Sequence, residues 1–288
     1  MKIVIIGAGN VGTNLHHALE LKGIHAQLVN ARPLVSNDQS PITNLPEAEL
    51  YIYTVADHAL KDVVERVHAP KALHLHTSGT IPLDVFGEDK PHTGVLYFFQ
   101  SFSKNALIDD WSNIPCLFEG RNIDDVAAVY SFAQTLTNHI YESTLQDRQR
   151  LHIAGVFANN YTNLMYRMAA QVLQGTQIPF EVLLPLIDQT AAKVHTLAPK
   201  DAQTGPAARA DGEVVLKHIE LLEKMQDGEF LASDLQFTYM NMAQIIQTAS
   251  LPQDSQQSVM EILNRALEES GEIEDNYPVP PRRRRKRR

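Results

Sequence analysis

The chain contains a single cysteine, Cys116, so an intrachain disulfide bond is excluded and a reducing compartment is expected. Long apolar runs are also missing. No segment approaches the roughly 20 apolar residues that span a membrane, and the apolar run at residues 3–6 is too short for a signal peptide. With 288 residues, of which 44% are hydrophobic, the chain suffices for one large domain or two moderate ones. We therefore predict a cytoplasmic protein.

The first half of the sequence alternates between strand-like and helix-like segments. Its first apolar run is typical of a strand buried on both faces of a parallel sheet. Further strands are predicted at 26–29, 50–55, 72–76, 94–98, 115–118 and 139–141, and helices at 11–21, 57–67 and 123–136. Such alternation indicates an α/β fold. We predict a Rossmann-type, doubly wound, mostly parallel sheet over residues 1–144.

Strand signals stop after residue 144. One long helical pattern covers residues 145–173, and further helices are predicted at 180–197, 207–225, 231–249 and 254–269. We interpret residues 145–270 as an all-helical domain for substrate binding and dimerisation. Residues 271–288 are acidic, then proline-rich, then basic, a composition that predicts a disordered end.

A glycine motif follows the first predicted strand directly and opens the first predicted helix. Gly7 permits a tight turn, Gly9 lets the backbone approach a pyrophosphate, and Gly12 lets the helix pack closely on the strand. The N–H groups of Asn10 and Val11 lie at the helix N-terminus, which favours bound phosphate. The pattern predicts a dinucleotide site. The alternative is a glycine-rich turn that binds something else or nothing.

The end of the second predicted strand distinguishes the two nicotinamide dinucleotides. An Asp or Glu there would accept a hydrogen bond from the ribose 2′-hydroxyl and favour NAD. This sequence has Asn30-Ala31-Arg32 instead. Because a guanidinium pairs well with a 2′-phosphate, we predict NADP rather than NAD, held by Arg32 with Asn30 nearby. The alternative is that Arg32 is a solvent-exposed loop residue.

These features resemble a known group of proteins. The glycine motif, the Asn-Ala-Arg segment, Val55-Ala56-Asp57 and the helical second half resemble the pyrroline-5-carboxylate reductase and 6-phosphogluconate dehydrogenase-like superfamily, which includes deazaflavin-dependent NADP reductases. The segments at 76–80, 100–103 and 204–211 resemble an uncharacterised bacterial family with a Rossmann-like domain and a helical domain of unknown function. The resemblance implies an oxidoreductase that binds its cofactor also through Val55 and Ala56. It predicts glycine where Ala210 stands and proline near Phe98 or Phe99.

Two loops and one helix offer candidate chemistry beside the cofactor. The segment Ser78-Gly79-Thr80 follows a predicted strand, and its hydroxyl and N–H groups could orient nicotinamide or substrate. We therefore interpret Ser78 as a catalytic and cofactor-binding residue and Thr80 as a substrate-binding residue. The alternative is a simple turn or helix cap, because Ser, Gly and Thr are turn residues.

Polar side chains recur along one face of the long predicted helix. His152, Val156, Asn159 and Asn163 have spacings of four, three and four, which puts them in one stripe. His152 is the candidate general acid or base, Asn159 a second catalytic candidate, and Asn160 and Asn163 candidates for holding substrate. The alternative is a polar seam between helices or at a dimer interface. The resemblance implies a catalytic lysine on this helix, but no lysine lies between Asn138 and Gln189.

The segment 204–211 adds a third candidate region. Thr204 could cap the following helix, and Arg209 could bind an anionic group of the substrate; the alternative is a surface pair of Arg209 with Asp211 or a contact to another subunit. Among twelve histidines, His74 and His76 alternate on a predicted strand. No Cys or carboxylate cluster stands at ligand spacing beside them, so we predict no metal.

The last seven residues, 282–288, are all basic. Removing them from the 25 basic residues leaves 18 against 34 acidic ones, a net charge of −16 for the body. Such a run is extended, and it could contact nucleic acid or an anionic membrane without specificity, fold onto the acidic body, or remain solvated.

Three hypotheses of function follow. The leading one is an NADP-dependent oxidoreductase, acting on a small carbonyl or imine in a cleft between the two domains of a homodimer. The main alternative is a non-catalytic NADP(H)-binding sensor or partner-binding protein, which the missing lysine favours. A nucleic-acid-associated regulator rests on the basic tail alone.

Overall fold

The first compact unit, residues 1–160, is built on one sheet. The structure is a computed structural model that describes residues 1–31, 42 and 45–250. Its described strands are β1 (Ile3–Ile6), β2 (Ala26–Val29), β3 (Leu50–Tyr53), β4 (Leu73–His76), β5 (Thr93–Phe98), β6 (Cys116–Gly120) and β7 (Ile140–Glu142). The helices of this unit are α1 (Asn10–Leu21), α2 (Asp57–Arg66), α3 (Ile123–Ala133) and α4 (Leu145–Gly155).

The described strands lie in the order β2-β1-β3-β4-β5-β6-β7. Strands β1 to β5 are mutually parallel, β6 runs antiparallel to β5, and β7 runs parallel to β6. The predicted α/β class, with a mostly parallel sheet before a helical region, is confirmed. The strand order reverses direction between β1 and β3, so their carboxyl ends form the topological switch point where such sheets bind ligands.

Helices cover both faces of the sheet, which explains why β1 is apolar at every position. Ile3 and Ile5 enter the cluster that contains residues of α1 and α3, whereas Val4 and Ile6 enter the cluster that contains residues of α2. All four side chains of β1 are at most 3% exposed. Burial of each such side chain contributes about 1.5–3 kcal/mol, so this strand is held firmly between the two layers.

The long predicted helix at 145–173 is not one regular helix. A π-helical segment, Val156–Tyr161, separates α4 from α5 (Thr162–Val172). The wider hydrogen-bonding pattern of a π segment shifts the faces on which the following side chains lie. The prediction that His152, Val156, Asn159 and Asn163 form one stripe of a regular α-helix is therefore wrong. Such segments occur frequently at functional sites.

The second compact unit begins at Tyr161, and its described part ends at Ser250. After α5 it contains a short 3-10 turn (Phe180–Leu183), α6 (Leu184–Lys193), α7 (Pro199–Ala202), a second 3-10 turn (Ala207–Arg209), α8 (Gly212–Glu223) and α9 (Ala232–Ser250). Its buried core joins α8, α9 and the turn before α8. The predicted helix at 254–269 and the predicted disordered end at 271–288 lie outside the described residues. None of the helices in the described segments is long and apolar enough to cross a membrane.

Ala210 ends the turn before α8 in a left-handed conformation, with φ of 58°. This is the position where the family resemblance predicts glycine, which adopts that conformation without steric cost. The next residue, Asp211, caps α8 by accepting a hydrogen bond from the Val214 N–H at 3.3 Å. The interpretation of Thr204 as the cap is therefore wrong, because the turn at 207–209 separates Thr204 from the helix.

His74 on β4 is fully buried, and its imidazole contacts the rings of Tyr51, Tyr53 and Phe86. Its Nδ1 lies 2.9 Å from the Tyr53 hydroxyl, its Nε2 lies 2.9 Å from the Ala69 carbonyl, and its ring stacks on Tyr51. Burial lowers the pKa of His74 from 6.5 to about 4. The pKa of neighbouring His76 falls to about 3, again mainly through burial. Both histidines are therefore neutral in the folded protein.

These depressed pKa values predict a loss of stability in mild acid. Below about pH 6.5 the unfolded chain takes up protons that the folded chain refuses, so the free energy of unfolding falls as pH decreases towards 4. Each histidine contributes a slope of up to about 1.4 kcal/mol per pH unit. His74→Gln should clearly reduce this slope in urea titrations between pH 7 and 5. The exposed control His25→Gln should keep it, and an unchanged slope in His74→Gln would contradict the assignment.

Candidate functional site

At the switch point, where the chain passes from β1 into α1, neighbouring backbone segments leave very little free space. Gly7 has φ of +126°, and a Cβ atom there would lie 2.8 Å from Thr54. A Cβ on Gly12 would lie only 1.8 Å from the Gly7 carbonyl oxygen. The Thr54 hydroxyl donates to that same carbonyl at 2.7 Å. These contacts lock the start of α1 against β1 and β3, so both glycines are required by packing.

Gly9 differs from its two neighbours in the motif. A Cβ atom added there would meet no atom of residues 1–31, 42 and 45–250 within 4 Å, so the space beside its backbone is open among these residues. Gly9 precedes the first helical residue, and the N–H groups of Asn10, Val11 and Gly12 come before the first bond of the helix, from Thr13 to Gly9. No acidic residue lies in this first turn. An open backbone beside free N–H groups fits a bound diphosphate.

The other residues predicted to bind the cofactor come after β1, β2 and β3 in the sequence. Asn10 uses its side-chain oxygen to accept a hydrogen bond from the Lys104 N–H at 3.2 Å, which ties α1 to the loop after β5. Asn30 is exposed directly after β2. Val55 and Ala56 follow β3, and Ala56 is the residue before α2. Arg32, on which the predicted choice of NADP depends, lies outside the described residues.

Ser78 and Thr80 make hydrogen bonds within and beside their turn. The Ser78 hydroxyl oxygen accepts from the N–H groups of Thr80 at 3.1 Å and Ile81 at 3.2 Å. The Thr80 hydroxyl donates to the Asp57 carboxylate at 2.6 Å. The side-chain oxygen of Ser78 therefore stabilises the turn, in line with the structural alternative stated for it. The turn is thereby tied to the first residue of α2.

A cavity of about 360 Å³ lies between the end of β5 and the junction of α4 with the π segment. Three of the predicted candidates line it, namely His152, Asn159 and Asn160. From the sheet side it is lined by Tyr97, Phe99, Gln100 and Ser101. The two asparagine side chains make no hydrogen bond to any other described residue. The cavity thus offers two free amides beside aromatic rings.

Tyr97 is the functional candidate that sequence reasoning missed. Its hydroxyl lies 3.3 Å from His152 Nδ1, so the two side chains meet at the cavity wall. The pKa of Tyr97 is raised by burial and by the negative charge of Asp57. The available signal was its place at the carboxyl end of β5, since parallel strands present their functional residues at that edge.

Arg148 fixes α4, and with it His152, to the sheet. The Arg148 side chain is fully buried and pairs with the Glu119 carboxylate on β6 at 2.5 Å. A second guanidinium nitrogen donates to the Ile81 carbonyl at 3.4 Å, directly after the Ser78 turn. α4 itself begins with a capping box between Thr144 and Asp147. One buried cation therefore holds both the helix and the turn.

The remaining candidates lie in the second unit. Asn163 on α5, Thr204 before the turn at 207–209, and Arg209 within that turn are all exposed. None of the three lines the cavity beside Tyr97. Among the described residues, no group of three or more His, Cys, Asp or Glu side chains could hold a metal ion.

The fold and the glycine turn define a Rossmann-like protein, and comparisons with known proteins agree. Residues 114–246 match the family described as Domain of unknown function (DUF2520). The "putative NADP oxidoreductase BF3122" from Bacteroides fragilis is 36% identical, with 86% of this chain and 98% of that chain covered and a TM-score of 0.72. The chain belongs to the same family as that protein.

More distant structures share the fold. Protein TM1727 from Thermotoga maritima is 16% identical, with 86% of this chain and 99% of that chain covered and a TM-score of 0.67. An imine reductase from Streptomyces aurantiacus is 13% identical, with 90% and 99% covered and a TM-score of 0.57. None of the curated proteins compared with the chain matches it.

The open space at Gly9 predicts the effect of a single methyl group. Gly9→Ala should leave thermal unfolding of the free protein unchanged, because the added Cβ meets no atom of the residues that the structure describes. The same Cβ should weaken dinucleotide binding, because it occupies the space that a pyrophosphate would need. Isothermal titration with NADPH measures the change, with Lys22→Ala at the opposite end of α1 as control. Equal affinity in Gly9→Ala and the native protein would contradict this location of the site.

Proposed function

We propose that the protein is an NADP(H)-dependent oxidoreductase that transfers a hydride to or from a small carbonyl or imine compound. The single observation that carries the proposal is the Tyr97–His152 pair at the wall of a cavity, on the same sheet edge as the glycine turn. The Bacteroides fragilis protein of the same family carries the name "putative NADP oxidoreductase", which supports the proposal.

In this proposal the glycine turn and the start of α1 hold the diphosphate, and the nicotinamide supplies or accepts the hydride when bound. The chain's own chemistry is then confined to orientation and to one proton. The Tyr97–His152 pair moves that proton, with His152 as the predicted general acid or base. Asn159 and Asn160 orient the substrate through their free amides. Ser78 acts by stabilising its own turn, through the hydrogen bonds that it accepts from the N–H groups of Thr80 and Ile81.

The preference for NADP rests on Arg32 and on the lack of a carboxylate at the end of β2. In this proposal Asn30, which follows β2 directly, hydrogen-bonds beside the 2′-phosphate. The relationship to the deazaflavin-dependent NADP reductases and the wider superfamily remains an interpretation of the sequence motifs.

Thermal unfolding with each cofactor, followed by a substrate screen, tests the proposal. NADPH at about 100 times its Kd should add roughly 2.7 kcal/mol of stability. NADH at the same concentration should add much less, and Arg32→Ala should remove the difference. A screen of small ketones, aldehydes and imines that follows NADPH oxidation should then find turnover, and His152→Ala should lower kcat at least about tenfold.

The outcomes separate the rival functions. Stabilisation by NADPH without turnover of any compound would favour the non-catalytic sensor. No stabilisation by either cofactor would mean that the glycine turn is purely structural, and the proposal would fall. A kcat that is unchanged in His152→Ala would remove that residue from the mechanism.

We also propose that the chain forms a homodimer through its second unit. Helix α6 contains no buried residue, although Leu184 is 45% and Leu186 is 64% exposed. Val182 just before it and Val194 just after it are more than half exposed as well. Exposed apolar side chains that lie this close together in sequence are common at interfaces between proteins, and a second copy is the partner that is always present.

Light scattering after size-exclusion chromatography tests the dimer. The native protein should elute with twice the chain mass, and Leu186→Glu should shift it towards the monomer because a carboxylate is buried at an apolar contact. The matched control is Leu107→Glu, which changes an exposed leucine of the first unit. A monomeric native protein, or equal behaviour of the two variants, would contradict the proposed interface.

A further inference from the structure

We infer that the hydroxyl of Tyr97 is the group that gives a proton to the substrate, and that His152 acts through it. The inference rests on the proposed function and specifies the order of the two groups. Sequence reasoning assigned the proton to His152 alone. The structure adds a second group on the sheet side of the same cavity.

The ring of Tyr97 is held in one position by the turn above it. A Cβ atom on Gly79 would lie 2.7 Å from Tyr97 Cζ, so the glycine backbone packs directly against the hydroxyl end of the ring. The Phe99 ring contacts Tyr97 edge-on at 6.2 Å between centroids. Phe99 itself packs on α4 where Gly155 leaves room, since a Cβ there would lie 2.7 Å from its ring. The hydroxyl is therefore fixed at the cavity wall.

The two members of the pair differ in their access to solvent. Tyr97 is partly buried, whereas His152 is exposed on α4. The hydroxyl of Tyr97 contacts His152 Nδ1, which leaves Nε2 on the far side of the ring without another described partner. A proton can therefore pass from water to His152 and from His152 to Tyr97. This order places the phenol next to the substrate and the imidazole next to the solvent.

The electrostatic surroundings keep the phenol protonated. Burial and the Asp57 carboxylate both raise the pKa of Tyr97 above 10. Thr80 holds Asp57 in place through its hydrogen bond at 2.6 Å. At neutral pH the phenol therefore carries a proton and can donate one, whereas a phenolate that could accept one is scarce. The phenol is therefore in the protonation state that reduction of the substrate requires.

Reduction of the substrate requires one hydride and one proton. A hydride from reduced nicotinamide bonds to the carbon of the C=O or C=N group, and the electron pair of the double bond moves to oxygen or nitrogen. That atom takes the proton of Tyr97, and the O–H bond of the phenol breaks. The phenolate then recovers a proton from the Nδ1–H group of His152, and the imidazole ring takes up a replacement proton from solvent at Nε2, so each turnover consumes one solvent proton. The substrate is reduced by two electrons and the nicotinamide is oxidised by two.

The substitution that tests the inference is Tyr97→Phe, which keeps the ring against Gly79 and removes only the hydroxyl. With a substrate found in the screen, Tyr97→Phe should lower kcat by about 10²–10⁴-fold, with KM and NADPH affinity changed little. His152→Ala should lower kcat less, because water can reach the phenol in its place. The matched control is Tyr141→Phe on β7, which removes an exposed hydroxyl and should leave kcat unchanged.

A second measurement reads the protonation state without any substrate. In protein labelled with ¹³C at tyrosine Cζ, the Tyr97 resonance is assigned by its loss in Tyr97→Phe. It should stay in the protonated form beyond pH 10, and His152→Ala should move its titration. Deprotonation below about pH 9 would overturn the inference, because the phenol would then serve as a base.

The outcomes also separate this inference from the proposed function. If Tyr97→Phe keeps kcat within about threefold while His152→Ala loses 10²–10⁴-fold, the oxidoreductase stands and the role of Tyr97 falls. If NADPH does not stabilise the protein, or no compound is turned over, both fall together.

Discussion

The parallel pairing of β1 to β5 is the constraint on which the candidate site depends. Because these strands share one direction, the residues that follow each of them emerge at the same edge of the sheet. Gly7 follows β1, Thr54 follows β3, the Ser78 turn follows β4, and Tyr97 lies at the end of β5. Four segments that span about ninety positions of the sequence are aligned at one edge by the main-chain hydrogen bonds of the sheet. Their side chains then need only local adjustment.

The buried side chain of Arg148 attaches α4, which lines one side of the cavity, to the sheet. A guanidinium that is fully removed from water is costly unless it is paired and hydrogen-bonded. Glu119 and the Ile81 carbonyl pair with its two terminal nitrogens, whereas Nε has no hydrogen-bond partner among the described residues. The pair therefore joins α4 to β6, and the bond to Ile81 joins it to the segment after β4. His152 lies one helical turn further along α4, which is why its ring reaches the hydroxyl of Tyr97. A buried ion pair here specifies geometry more than it adds stability.

The first strand, the glycine turn and the first helix could be predicted from sequence because their signals are local. The apolar run of β1, the glycines and the first helix define one another within the first 21 residues, and the structure places them as the α/β pattern requires. The π segment could not be predicted, because its apolar and polar residues fit a continuous α-helix equally well. Nor could the meeting of Tyr97 with His152, 55 positions apart. That contact depends on the register of β5 and on the buried Arg148, neither of which leaves a periodic signal.

The same geometry bears on the choice between an enzyme and a sensor. A protein that only binds a dinucleotide needs the glycine turn, but it has no use for a hydroxyl at the end of β5, since phenylalanine would fill the space beneath Gly79 equally well. The hydroxyl of Tyr97 makes its one described hydrogen bond to an exposed histidine, so it contributes little to holding the fold together. The absence of a lysine from the predicted helix at 145–173 is then no argument against catalysis, because a phenol and an imidazole together can move the proton that hydride transfer requires. The polar groups at this cavity are better explained by chemistry than by packing.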